Sequence, residues 1–118
     1  MGSEMCIRDR KVDPVEVEAA LLDVPRVVDG AVLGRPDPVL GEVVCACVVA
    51  TGEEPRPRLG EVRERMGGVL APHKLPDELH TLAAIPRTAV GKVDLPRLRE
   101  VLERTPHLVE RRPRPVSR

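Results

Sequence analysis

A chain of 118 residues has the length of one domain and can bury a modest core of its own. Nineteen Lys plus Arg balance nineteen Asp plus Glu, so no global field draws the chain to nucleic acid or an acidic membrane, and any charge logic is local. Phe, Tyr and Trp are absent, which makes the core aliphatic and removes the stacking surfaces that adenine pockets and single-stranded nucleic acid sites often use.

From the N-terminus, Glu4, Arg8, Asp9 and Arg10 put charges where a signal peptide needs an apolar stretch. No segment approaches the ~20 apolar residues of a membrane span. A cytoplasmic location is the default expectation. Met1-Gly2 opens like a myristoylation site, but Cys6 stands where Ser or Thr is required. Residues 1–10 match nothing a fold needs and read as a leader to a domain over 11–104.

Asp13 as N-cap, Pro14 at the first helical position and Glu16 three residues after the cap predict a helix start. The stripe Val17, Ala20, Leu21 and Val24 turns inward, and Pro25 ends the helix. Glu16 and Glu18 read as cap and solvated face. Residues 27–33 predict a strand and 34–38 a turn. Residues 42–50, almost without polar side chains, predict a strand buried on both faces at the centre of the sheet.

Leu59, Val62, Met66, Val69 and Leu70 give a second amphipathic helix, weakened by Gly67 and Gly68. Residues 79–85 predict a third strand, and Asp94 caps a last helix with the stripe Leu95, Leu98, Val101 and Leu102. Beyond Arg104, the prolines and the Arg111-Arg112-Pro113-Arg114-Pro115 run predict a disordered basic tail over 105–118. The order of elements predicts an α+β fold, a small three-stranded sheet covered by about three helices.

Cys6, Cys45 and Cys47 are an odd number of thiols in a chain without secretion signals, which argues against a disulfide framework. Cys45-x-Cys47 puts two thiols on one face of the central strand, and spacing brings no histidine or second cysteine pair to them. His73, His80 and His107 match no ligand spacing. Both strand thiols read as core residues, and no metal site is expected.

The stretch Ile85-Pro86-Arg87-Thr88-Ala89-Val90-Gly91-Lys92-Val93-Asp94 aims one lysine out of a glycine turn between a strand and a helix. Thr88 and Gly91 suit a tight reversal, with Val90 and Val93 as the stubs of a short hairpin. Lys92 then sits at or beside the tip, free to offer three donors to a carboxylate or phosphate. Taken alone, the stretch describes a solvated surface lysine on a hairpin.

Three further blocks stand in order with it: Val12-Asp13-Pro14-Val15-Glu16-Val17-Glu18; Ala31-Val32-Leu33-Gly34-Arg35-Pro36-Asp37 followed by Gly41-Glu42; and Pro72-His73-Lys74-Leu75-Pro76. Over residues 12–102 the chain resembles the small C-terminal domain of the adenylate-forming enzymes, which include acyl-CoA synthetases, adenylation domains of peptide synthetases, and luciferases. The resemblance implies the α+β fold, ATP with Mg and coenzyme A in the complete enzyme, and a large N-terminal ATP-binding domain as partner. It implies Lys92 as the catalytic cation between substrate carboxylate and α-phosphate. It further implies Gly41 and Glu42 in a loop that faces the active site during thioester formation, and Arg87, Thr88 and Gly91 as support for the lysine turn.

Two departures stand out. Residues 5–10 show no recognisable hinge, and the Ser/Thr/Gly-rich phosphate loop of the N-terminal domain is absent from the 118 residues. The isolated chain is therefore expected to be inactive, a fragment or a partner supplied in trans. An acyl-CoA synthetase is the nearest branch. The alternatives are the lid of a peptide synthetase adenylation domain and a stand-alone interaction or regulatory module of the same fold.

Overall fold

The computed structural model describes residues 5–7, 10–38 and 41–112. In chain order the elements are β1 (Met5–Ile7), β2 (Arg10–Val12), α1 (Pro14–Leu22), β3 (Val27–Asp37), β4 (Gly41–Ala50), α2 (Leu59–Met66), a 3-10 turn at Pro72–Lys74, β5 (Glu78–Thr81), α3 (Leu95–Arg104) and β6 (Leu108–Arg111). The main sheet has the order β3-β4-β5-β6, with β4 and β5 parallel and the other two pairs antiparallel. Parallel pairing requires a crossover, and α2 supplies it.

The two-residue period of β4 explains how the helices are distributed. Val44, Ala46 and Val48 turn to one face, where they pack with Val17 and Leu21 of α1 and Val62 and Met66 of α2. Cys45 and Cys47 turn to the other, against Leu98 of α3 and the connector residues Leu82 and Ile85. A strand covered on both faces has no use for polar side chains, which is why 43–48 is so uniformly apolar. Among the described residues, no helix is long and apolar enough to cross a membrane.

Asp13 accepts from Val15 N at 2.9 Å and Asp94 from Arg97 N at 3.2 Å, so both expected N-caps form. Glu16 instead pairs with Lys74 at 2.8 Å, tying α1 to the 3-10 turn. Arg58, before α2, offers no side-chain cap. That amide is satisfied from far along the chain: Leu59 N donates to Glu110 of β6 at 2.8 Å.

The sheet has four strands where three were expected, and the extra one comes from the supposed tail. β6 pairs with β5 through Glu78↔Arg111 to Thr81↔Leu108, and Arg112 adds an ion pair to Asp77 at 3.2 Å. Its alternation of Leu108, Val109 and Glu110 completes the sheet edge, whereas 113–118 lie outside the described residues. The expected turn at 34–38 is also strand as far as Asp37, because β3 stays in register with β4 from Gly34↔Val44 to Asp37↔Gly41. The third strand stops at Thr81 rather than Ile85. At the N-terminus, Met5–Ile7 pairs with Arg10–Val12, so part of the supposed leader joins a two-stranded ribbon; residues 1–4 and 8–9 lie outside the described residues.

Candidate functional site

The hairpin after β5 is closed by backbone bonds that the sequence makes available only through Gly91. Thr88 N donates to Lys92 O at 2.7 Å and Gly91 N to Thr88 O at 2.9 Å, with Arg87 bridged to Val93 and Asp94 N bonded to Pro86 O below them. Ala89, Val90 and Gly91 are thus a three-residue loop whose last member has φ +89°, a value glycine adopts without cost. The arms are Arg87-Thr88 and Lys92-Val93. Val90 is not a stub but the tip itself, 80% exposed. Lys92 opens the return arm, exposed, and no side chain among the described residues pairs with its ammonium.

Arg87 braces this loop from below. One guanidinium nitrogen donates to Gly91 O at 2.9 Å and the other to Asp29 Oδ1 at 2.6 Å, while Asp29 also accepts from Gly30 N at 2.8 Å. The hairpin is therefore tied to β3 through a planar fork that a lysine could not reproduce. Thr88 contributes its backbone.

Lys92 borders an open groove of about 670 Å³ between α1, the start of β4 and α3. Its charged lining is Lys92, Arg87 and Arg99 against Glu18 and Glu42. Burial holds the Glu18 carboxyl above its ordinary range, opposed by a bond from the Val32 amide and the nearby Arg87. Arg99 donates to Gly34 O at 3.1 Å and so fixes α3 across the groove.

Gly41 and Glu42, which the resemblance put in a loop, begin β4, paired with Asp37 and Pro36, in line with the strand expected from residue 42. Gly41 takes φ +89° there. The Glu42 side chain lies over Gly34, where a Cβ would come within 2.7 Å of its carboxyl carbon. The fold thus brings Gly91, Lys92, Arg87 and Glu42 to one groove, which gains Arg99 and Glu18 as members that sequence reasoning missed.

A second cluster was not foreseen at all. Parallel pairing of β4 with β5 sets Cys45 beside Glu78 and Cys47 beside His80, all on the face under α3. His80 Nε2 lies 2.9 Å from Glu78 Oε1, and its Nδ1 lies 2.8 Å from Nε2 of His107. His107 Nδ1 faces the Thr105 carbonyl at 2.6 Å and must donate to it, so its Nε2 accepts from His80. His80 therefore carries protons on both nitrogens. Burial pushes its imidazole down, but bonds with Cys45 and Glu78 outweigh this and raise it to about 9. The Glu-Leu-His alternation at 78–80 was the available clue, since it puts Glu78 and His80 on one face of a strand.

Residues 16–92 match the model of the AMP-binding enzyme C-terminal domain. The chain is 38% identical over 93 residues to the mitochondrial acyl-coenzyme A synthetase ACSM5 of Homo sapiens, covering 75% of this chain and 16% of that protein. It is 46% identical over 90 residues to triostin synthetase I of Streptomyces triostinicus, covering 75% and 17%. Among solved structures, the fatty acyl CoA synthetase of Mycobacterium tuberculosis superposes with a TM-score of 0.76 at 36% identity, over 83% of this chain and 19% of that one. The chain thus spans about a sixth of the length of the curated relatives it matches. With the hairpin lysine, the two-faced sheet and these likenesses in agreement, the chain belongs to the family of AMP-binding enzyme C-terminal domains found in acyl-CoA synthetases and related adenylate-forming enzymes.

Proposed function

We propose that this domain is the closing lid of an ATP-dependent acid–thiol ligase and that Lys92 is its catalytic cation. The observation that carries the reading is an unpaired ammonium on a loop braced by Arg87 at the edge of an open groove. Attack of a carboxylate on the α-phosphate of ATP brings two anions together. A cation between them neutralises charge that spreads over the transition state. The products are an acyl-adenylate and pyrophosphate.

Rotation of the lid then withdraws Lys92 and turns Gly41 and Glu42 toward the adenylate for transfer of the acyl group to a thiol. The large partner domain holds ATP with Mg and the acid, since this chain has no Phe, Tyr or Trp to stack on an adenine. Coenzyme A is the acceptor that the likeness to the human synthetase favours. In a second reading the domain is the lid of a peptide synthetase adenylation domain, and the acceptor is the thiol of a carrier protein.

The test joins the domain to a cognate ATP-binding domain and measures the two half-reactions separately. Lys92→Ala is expected to slow adenylation by about 10²–10⁴. Thioester formation from synthetic acyl-adenylate stays near the parent rate. Lys92→Arg keeps the charge but changes reach and donor geometry, and it too stays impaired. Equal losses in both half-reactions would make Lys92 a structural or thiol-substrate residue. Unchanged adenylation would leave it an ordinary surface lysine.

A further inference from the structure

We propose that Cys45, Glu78 and His80 form a zinc-binding site beneath α3. One sulfur, one imidazole nitrogen and one carboxylate oxygen from these residues lie within 4.8 Å of one another. Donors on a tetrahedral Zn²⁺ stand about 3.3–3.8 Å apart, so the widest-set donors would approach by roughly 1 Å and the His80–Glu78 pair, at 2.9 Å, would open by about 0.5 Å to take an ion. The mixture of soft sulfur, borderline nitrogen and hard oxygen is one that zinc accepts and that magnesium or calcium does not.

The supporting residues favour ligation over a chance cluster. A histidine that binds a metal through one nitrogen almost always donates the other N–H to an acceptor, which fixes the ring. Here His80 Nδ1 donates to His107 Nε2, itself pinned by the Thr105 carbonyl, and this leaves Nε2 as the nitrogen that faces Glu78. Glu78 is oriented in turn by Arg35 at 3.4 Å and Arg111 at 3.3 Å. All three candidate ligands are buried: Cys45 at 0%, Glu78 at 8% and His80 at 1% relative exposure.

Zinc entering displaces one proton from Cys45 and one from His80 Nε2, so the two charges it brings are matched by the two protons that leave. Three protein ligands leave the fourth position to water. The ion would clamp β4 to β5 on the side opposite α1 and α2.

The experiment uses the purified full chain carrying Cys6→Ser, stripped with a chelator and titrated with Co²⁺. The expected result is a sulfur-to-cobalt charge-transfer band with strong visible bands of a tetrahedral ion. These saturate at one equivalent and disappear when Zn²⁺ is added. Cys45→Ser loses the charge-transfer band, and His80→Gln weakens Co²⁺ binding by more than about 10-fold, the loss already seen when a residue supporting a metal ligand is removed. Circular dichroism establishes that each variant is folded. Zn²⁺ also raises the melting temperature of the parent chain. Absence of the charge-transfer band in the folded parent, or its persistence in Cys45→Ser, overturns the proposal and leaves the cluster held by protons alone.

Discussion

Arg87 is the residue on which the placement of Lys92 turns, because it spans two acceptors at once, the Gly91 carbonyl and Asp29. Arg87→Lys can reach only one of them. The expected outcome is an unchanged melting temperature with adenylation slowed by about 10-fold or more, since displacements on the order of 1 Å at a reacting group carry losses up to about 10²-fold. Comparing thermal unfolding with the adenylation half-reaction on the same variant checks this; a matching fall in melting temperature would make Arg87 a folding residue. The lysine and its glycine could be read from the sequence because a glycine turn between a strand and a helix is a local pattern. Asp29 could not, since it lies 58 residues from Arg87 and meets it only through the fold. The same holds for the meeting of Cys45 with Glu78 and of Cys47 with His80, which depends on the β4–β5 register. Cys45 and Cys47 are buried free thiols, so in chelated native protein a thiol reagent should label neither, and both should react in denaturant. Rapid native labelling of Cys45 would contradict the packing of α3.

At the scale of elements, one side chain in each of α3 and β6 gives a direct test of its packing. Leu98 is the α3 residue buried completely, so Leu98→Ala should cost about 2–5 kcal/mol and loosen the helix that follows the lysine hairpin. Urea unfolding measures it. β6 is held to α2 by Glu110, which takes the Leu59 amide and the Arg58 guanidinium together. The bond from Arg58 holds this carboxyl below its ordinary 4.5, against the opposing effect of burial. A carboxylate lowered on folding contributes stability that is present above its unfolded value and lost as pH falls through its folded one. Glu110→Gln should therefore be less stable than the parent by about 1 kcal/mol at neutral pH. The gap should close as pH drops below 4.5, and a gap independent of pH would mean the charge is idle. The helices were legible because their caps and stripes are local. β6 was not, because prolines and arginines on either side of Leu108–Arg111 carry the composition of a tail, and only an edge strand seeking a partner reveals the segment as structure.

For the whole molecule, the proposed division of labour between lid and base decides what the isolated chain can do. Its sheet is complete, with both faces covered by helices, so the chain should fold cooperatively by itself. A groove with one unpaired ammonium and no aromatic ring can neutralise an anion but cannot cradle a triphosphate or stack a purine. Purified chain should therefore show neither ATP-dependent pyrophosphate release nor tight nucleotide binding, and both should return only when an ATP-binding domain is joined to it. Isothermal calorimetry with ATP is the direct measurement. Affinity in the micromolar range for the isolated chain, which corresponds to about 8 kcal/mol of binding, would require a nucleotide site that one lysine cannot supply, and it would turn the lid reading into that of a nucleotide-binding module.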